Sequence, residues 1–127
     1  MEELSRTFAA LADGTRLRIL NLLLRSPLCV CELAPVLGLS QPLVSRHLAY
    51  LRNCGLVEAR RQGARVNYQL NCGHKQLSQL CPVLARIFDG QPLARTDLAQ
   101  LSKLPPGAAD CKPAARRRSR QRMKYVA

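Results

Sequence analysis

Leu4, Phe8 and Leu11 recur at helical spacing, and the run stops at Asp13-Gly14. This predicts a first helix with one apolar face. Asp13 suits the N-cap of a second helix through Arg16–Leu24, whose apolar density implies deep burial and which ends at Ser26-Pro27. A short third helix follows, with Cys29 where a Ser or Thr cap would stand, Glu32 three residues later and Gly38 as its C-cap. Ser40 caps a fourth helix that tolerates Pro42 in its first turn. Val44, His47, Leu48 and Leu51 share one face of it, whereas Ser45, Arg46, Ala49 and Asn53 share the other. That outer face carries little apolar surface, as a groove-reading helix requires. After Cys54-Gly55, residues 56–61 and 65–70 read as two strands around Gln62-Gly63-Ala64, with Val66, Tyr68 and Leu70 alternating. Leu77, Leu80, Leu84, Ile87 and Phe88 mark a fifth helix, in which Pro82 predicts a kink or a later start. A weaker helix is expected over Thr96–Leu104.

The pattern predicts a mainly α fold with a small β-hairpin. A domain over 1–104 ends before Pro105-Pro106-Gly107, and residues 105–127 form a basic tail without periodicity, expected to be disordered. The chain has 127 residues and a formal charge of +12, distributed unevenly. Residues 112–127 carry seven Lys/Arg (Lys112, Arg116, Arg117, Arg118, Arg120, Arg122, Lys124) and no acid. Both parts suit a polyanion, most simply double-stranded DNA. No uninterrupted apolar run is long enough for a membrane span. Met1-Glu2-Glu3 is unlike the basic start of a secretory signal, so a cytoplasmic protein is expected. There the six cysteines, at 29, 31, 54, 72, 81 and 111, would be reduced and suited to metal binding, thiol chemistry or packing.

Four stretches together resemble the arsenic-responsive (ArsR/SmtB) family of winged-helix repressors. They are Leu11–Leu20, Cys29-Val30-Cys31-Glu32-Leu33, Ser40–Leu48 and Leu51–Val57, which with the hairpin span roughly residues 4–70. Gly14 departs from the proline usual in the family. The resemblance implies a winged helix-turn-helix with a helical dimer interface. It also implies a homodimer that represses an operon from an inverted-repeat operator and leaves it when a toxic ion binds. Gln41, Ser45 and Arg46 match the family's groove-contacting positions. The helical pattern independently turns Ser45 and Arg46 outward. Arg46 suits guanine or a phosphate, and Gln41 suits adenine. Arg60, Arg61 and Arg65, near the hairpin tip, are expected on backbone phosphate or in the minor groove; His47 falls on the apolar side.

Thiolates select soft ions, and a helix N-terminus lowers thiol pKa. Cys29 and Cys31 are therefore the candidate ligands for trivalent arsenic or antimony acting as inducer, with no organic cofactor expected. In an ideal helix residues two apart diverge by about 200°, so one ion is expected to bridge both only if the first turn unwinds. Pro35 weakens that turn, because it has no N–H for the Cys31 carbonyl. A pyramidal trivalent ion takes a third ligand. Ala34 stands where many relatives with this motif have a further cysteine, which leaves Cys111, Cys54, solvent hydroxide or a small thiol as candidates. Two alternatives remain open: a repressor of the same fold that senses oxidants or reactive sulfur by disulfide formation, and a basic architectural DNA binder without effector. An enzyme is not expected. Cys54 and Arg60 have the C-x5-R spacing of an oxyanion loop, but the residues between them read as a strand and include Glu58.

Overall fold

The computed structural model describes residues 1–104. The predicted basic tail and Cys111 lie outside the described residues. Within them the order is α1 (Glu2–Leu11), α2 (Gly14–Leu23), β1 (Leu28–Cys29), α3 (Val30–Leu37), α4 (Gln41–Asn53), β2 (Val57–Gln62), β3 (Arg65–Leu70), α5 (Lys75–Asp89) and α6 (Pro92–Lys103). The fold is a winged helix-turn-helix: six helices and one small antiparallel sheet of order β1-β3-β2.

Local chemistry explains most boundaries. Asp13 accepts from the Arg16 N–H at 3.1 Å and opens α2. Ser40 Oγ accepts from the Leu43 N–H at 3.3 Å and opens α4. Gly38, at φ +69°, closes α3 in a left-handed conformation that a Cβ would disfavour. The wing turns through Gly63, whose φ of +65° fits the mirror-image turns that match strand twist. Gln62 and Arg65 pair on the rung below it.

Three sequence expectations change. β1 was not anticipated; two residues are too short for a periodic signal, yet Leu28 and Cys29 pair with Tyr68 and Asn67 of β3. α5 neither breaks nor starts late at Pro82. It begins at Lys75, where His74 Nδ1 accepts from the Leu77 N–H at 3.2 Å, and continues to Asp89. α6 starts at Pro92 rather than Thr96, with the proline at a position that needs no N–H donor.

The core gathers Ile19, Leu20, Leu22 and Leu23 of α2 with Leu33, Val44, Leu48, Leu51, Leu56, Leu70 and Leu77. α6 is fastened to it by polar contacts: Arg18 donates to both Asp97 oxygens at 2.8 and 2.9 Å, and Asn21 donates to the Ala94 carbonyl at 3.1 Å. α1 is different. Its buried residues are Thr7 and Ala10, while Phe8, from the predicted apolar face, is 52% exposed.

Candidate nucleic-acid interface and thiol site

α4 is held from behind. Val44, Leu48 and Leu51 are fully buried, which leaves Gln41, Ser45, Arg46 and Ala49 exposed on the opposite side. The predicted reading face and the observed exposed face therefore coincide. His47 lies half-buried, with Nδ1 4.0 Å from Asp13 Oδ1. The Asp13 carboxyl is held below its ordinary value of 3.8, chiefly by the Arg16 N–H and further by the charges of Arg16 and His47, against the opposing effect of burial. The same junction includes Arg16, which donates to the Ala10 and Ala9 carbonyls at the end of α1 and stacks 4.1 Å from the Tyr50 ring centre.

The wing divides its arginines. Arg60 and Arg61 are exposed on β2. Arg65, expected beside them as a DNA contact, is only 6% exposed and faces inward. Its Nη2 donates to Glu32 Oε1 at 2.5 Å and its Nε to Asn67 Oδ1 at 2.7 Å. The cause lies in β1: pairing of Cys29 with Asn67 brings the N-terminus of α3 against β3, so the polar face of that strand is covered. Val66 and Tyr68 stay half-buried while Arg65 and Asn67 are buried, the reverse of what apolar alternation suggests. Sequence reasoning missed this network. Its one visible trace was Glu32 at the capping-box position; nothing in the sequence separates a buried Arg-x-Asn pair from a solvated one.

Cys29 is buried and serves as N-cap of α3, with extended backbone at φ −92° and ψ 166°; Cys31 is half-buried, one residue into the helix. Glu32 Oε1 accepts from the Cys29 N–H at 3.2 Å, as the capping box predicts. The two sulfurs are joined as a disulfide across a Cα separation of 5.3 Å. The expectation that the first turn must unwind to bring them together is therefore overturned. The 200° divergence holds only for two helical residues, and Cys29 belongs to β1.

The other described cysteines are free thiols. Cys81 is buried, and burial, aided by the nearby Cys72, pushes its thiol up to about 12, which makes it an unreactive packing residue. Cys54 closes α4, half-buried, and Cys72 is exposed. Among the described residues no group of three or more His, Cys, Asp or Glu is arranged to hold a metal. The C-x5-R spacing from Cys54 to Arg60 runs from a helix end into β2, so no oxyanion cradle forms. No described helix is long and apolar enough to cross a membrane.

The sequence pattern of the bacterial regulatory proteins of the arsR family matches residues 13–59, the stretch from the α2 cap into the wing. The chain is 52% identical over 65 residues to the arsenic resistance transcriptional regulator ArsR1 of Pseudomonas putida, covering 50% of this chain and 51% of that protein. It is 40% identical over 93 residues to a probable mercury resistance operon repressor of Streptomyces lividans, covering 73% and 72%. Among solved structures, it resembles the homodimeric winged helix-turn-helix DNA-binding domain of a possible ArsR-family regulator from Mycobacterium bovis. The TM-score is 0.61 at 33% identity, over 69% of this chain and 80% of that one. The fold is that of the winged-helix regulators among the solved structures, with α4 as its exposed helix. The chain belongs to the arsR family. Its matches span about half the length of the arsenic regulators among these relatives.

Proposed function

We propose that the chain is a transcriptional repressor released from its operator when trivalent arsenic or antimony engages Cys29 and Cys31. The observation that carries this reading is the convergence of the two sulfurs at the first turn of α3, one helix before α4. The residues fit such an ion: two thiols at a helix N-terminus supply two soft bonds. The third bond is open to Cys111, to solvent hydroxide or to a small thiol. Relatives named for arsenic support the choice of ion, and the relative named for mercury marks the alternative within the same thiol chemistry. Gln41, Ser45 and Arg46 read base edges from α4, and Arg60 and Arg61 meet phosphate from the wing.

The operator-bound form is a homodimer in this reading. Phe8 of α1 and Val83 and Ile87 of α5 are 52, 41 and 51% exposed. Apolar side chains so placed on neighbouring helices suit a second copy, and the related Mycobacterium bovis domain is homodimeric.

A second reading is favoured by one observation, the Cys29–Cys31 disulfide itself. In it the dithiol gives up two electrons and two protons to peroxide, which leaves as two waters, and the oxidised protein releases DNA. The test is a titration of reduced protein, bound to a duplex that it selects from a random pool, with arsenite, cadmium, zinc and peroxide in turn. Release by arsenite at the lowest concentration supports the arsenic reading. Release by peroxide but not by arsenite replaces it with the redox one.

A further inference from the structure

Glu32 stands at a junction between α3 and the wing. Its Oε1 accepts from two donors, the Cys29 N–H at 3.2 Å and the Arg65 guanidinium at 2.5 Å. Arg65 donates onward to Asn67 Oδ1 at 2.7 Å, and Asn67 Nδ2 donates to Gln62 Oε1 at 3.1 Å. Glu32, Arg65 and Asn67 are 5, 6 and 9% exposed. A continuous polar path thus runs from the backbone of Cys29 to the last rung of the wing.

A buried ion pair is weak evidence for added stability, because apolar residues of equal volume often serve as well. What this pair adds is connection. Coupling between sites requires an element with two arrangements that both sites bias. Glu32 is placed to be such an element, since one oxygen accepts from a donor at each site. It is also the third residue of α3 and follows Cys31 directly, so its direction depends on where Cys29 and Cys31 hold the first turn. By contrast, α4 rests on apolar contacts of Val44, Leu48 and Leu51 that carry no such directional link to the cysteines.

We propose that Glu32 and Arg65 are positioning residues that transmit the state of the Cys29/Cys31 pair to the wing. Engagement of both sulfurs by one ion shifts the first turn of α3, Glu32 turns away from Arg65, and the strand carrying Arg65 relaxes. Arg60 and Arg61, on the paired strand β2, then leave the pose that meets phosphate. The inference rests on the reading of Cys29 and Cys31 as the sensor.

The test uses phenylarsine oxide, which condenses with two thiols to form two As–S bonds and release one water, with no change of oxidation state. Reduced full-length wild type, Glu32→Gln and Arg65→Gln are each treated, and bridging is followed by mass. Hydrogen exchange is measured at the amides of residues 60–68 before and after. In wild type, bridging should change wing exchange by about fivefold or more, the lower end of ordinary coupling. In both variants bridging should proceed as in wild type, while the exchange change falls below about twofold. Glu32→Gln keeps an oxygen for the Cys29 N–H and Arg65→Gln leaves that cap in place; circular dichroism checks that each is folded, and the double variant Glu32→Gln/Arg65→Gln, which leaves no unpaired buried charge, replaces a single variant that is not. A merely structural pair would alter wing exchange equally with and without the reagent. An undiminished reagent-induced change in either variant, or no change in bridged wild type, overturns the proposal. Failure of the reagent to bridge wild type is a different result, and overturns the thiol-site reading itself.

Discussion

α4 and the wing both expose arginine, yet they are anchored by opposite means. Behind Ser45 and Arg46 lie Val44, Leu48 and Leu51, all fully buried. Beside Arg60 and Arg61 in the sheet runs β3, in which Arg65 is held by Glu32 and Asn67. An apolar anchor is non-directional and tolerates small shifts, whereas a charge-assisted hydrogen bond depends on distance and angle. The helix is thus built to stay in place and the wing to respond. The wing's anchor is also the cap of the helix that carries the thiols.

Breaking that anchor should produce the largest effect. Glu32→Leu leaves Arg65 charged, buried and without its carboxylate, and should cost about 3–5 kcal/mol of stability. Glu32→Leu with Arg65→Leu should recover a large part of it. Denaturant unfolding of the two proteins decides the matter, and a double variant no better than the single one would mean that the pair is not the anchor. Next comes the reading helix: Arg46→Ala should weaken operator binding by about 1–3 kcal/mol and relax base preference, with the melting temperature unchanged. Equal affinity in a binding isotherm would remove residue 46 from the interface.

The distinction between these regions was only half legible in the sequence. Periodicity identified α4 and its two faces, because an apolar stripe at offsets of three, four and seven has one structural meaning. Capping residues placed α2, α3 and α4: Asp13, Cys29 and Ser40 each stand within four residues of the first leucine of a helical apolar pattern. The wing's interior was hidden. Alternation assigned Val66 and Tyr68 inward and left Arg65 to solvent, because a polar residue is read as exposed unless its partner is visible. That partner, Glu32, lies 33 residues away in sequence. The convergence of the thiols was hidden too, since it depends on a two-residue strand that places Cys29 outside the helix. Phe8 is the reverse case: the helix forms as its periodicity predicts and Leu11 packs on the core, but Phe8 turns from the protomer's own core.

A smaller effect is expected at the α2 cap. Asp13→Ala removes the acceptor for the Arg16 N–H and should cost about 0.5–2 kcal/mol. Because folding lowers the Asp13 pKa, its contribution is complete above the ordinary value of 3.8 and fades as pH falls through the lower folded value. Thermal melts of wild type and variant should therefore differ at pH 6 and converge in strong acid. A constant difference across that range would assign the cap to something other than the ionised carboxylate. Smallest should be the effect of deleting residues 112–127 on base preference. Loss of seven basic groups should flatten the salt dependence of DNA binding and leave sequence ranking alone. An identical salt slope would show that the tail does not contact DNA.

In the proposed function Cys29 and Cys31 control DNA binding without being part of the DNA surface. The most direct test is the operator affinity of reduced wild type and of Cys29→Ser, each with and without arsenite. Equal affinities are expected without arsenite, with a loss of about 5–150-fold for wild type on its addition and no loss for the variant. An equal arsenite-induced loss in both proteins, or none in either, would contradict it.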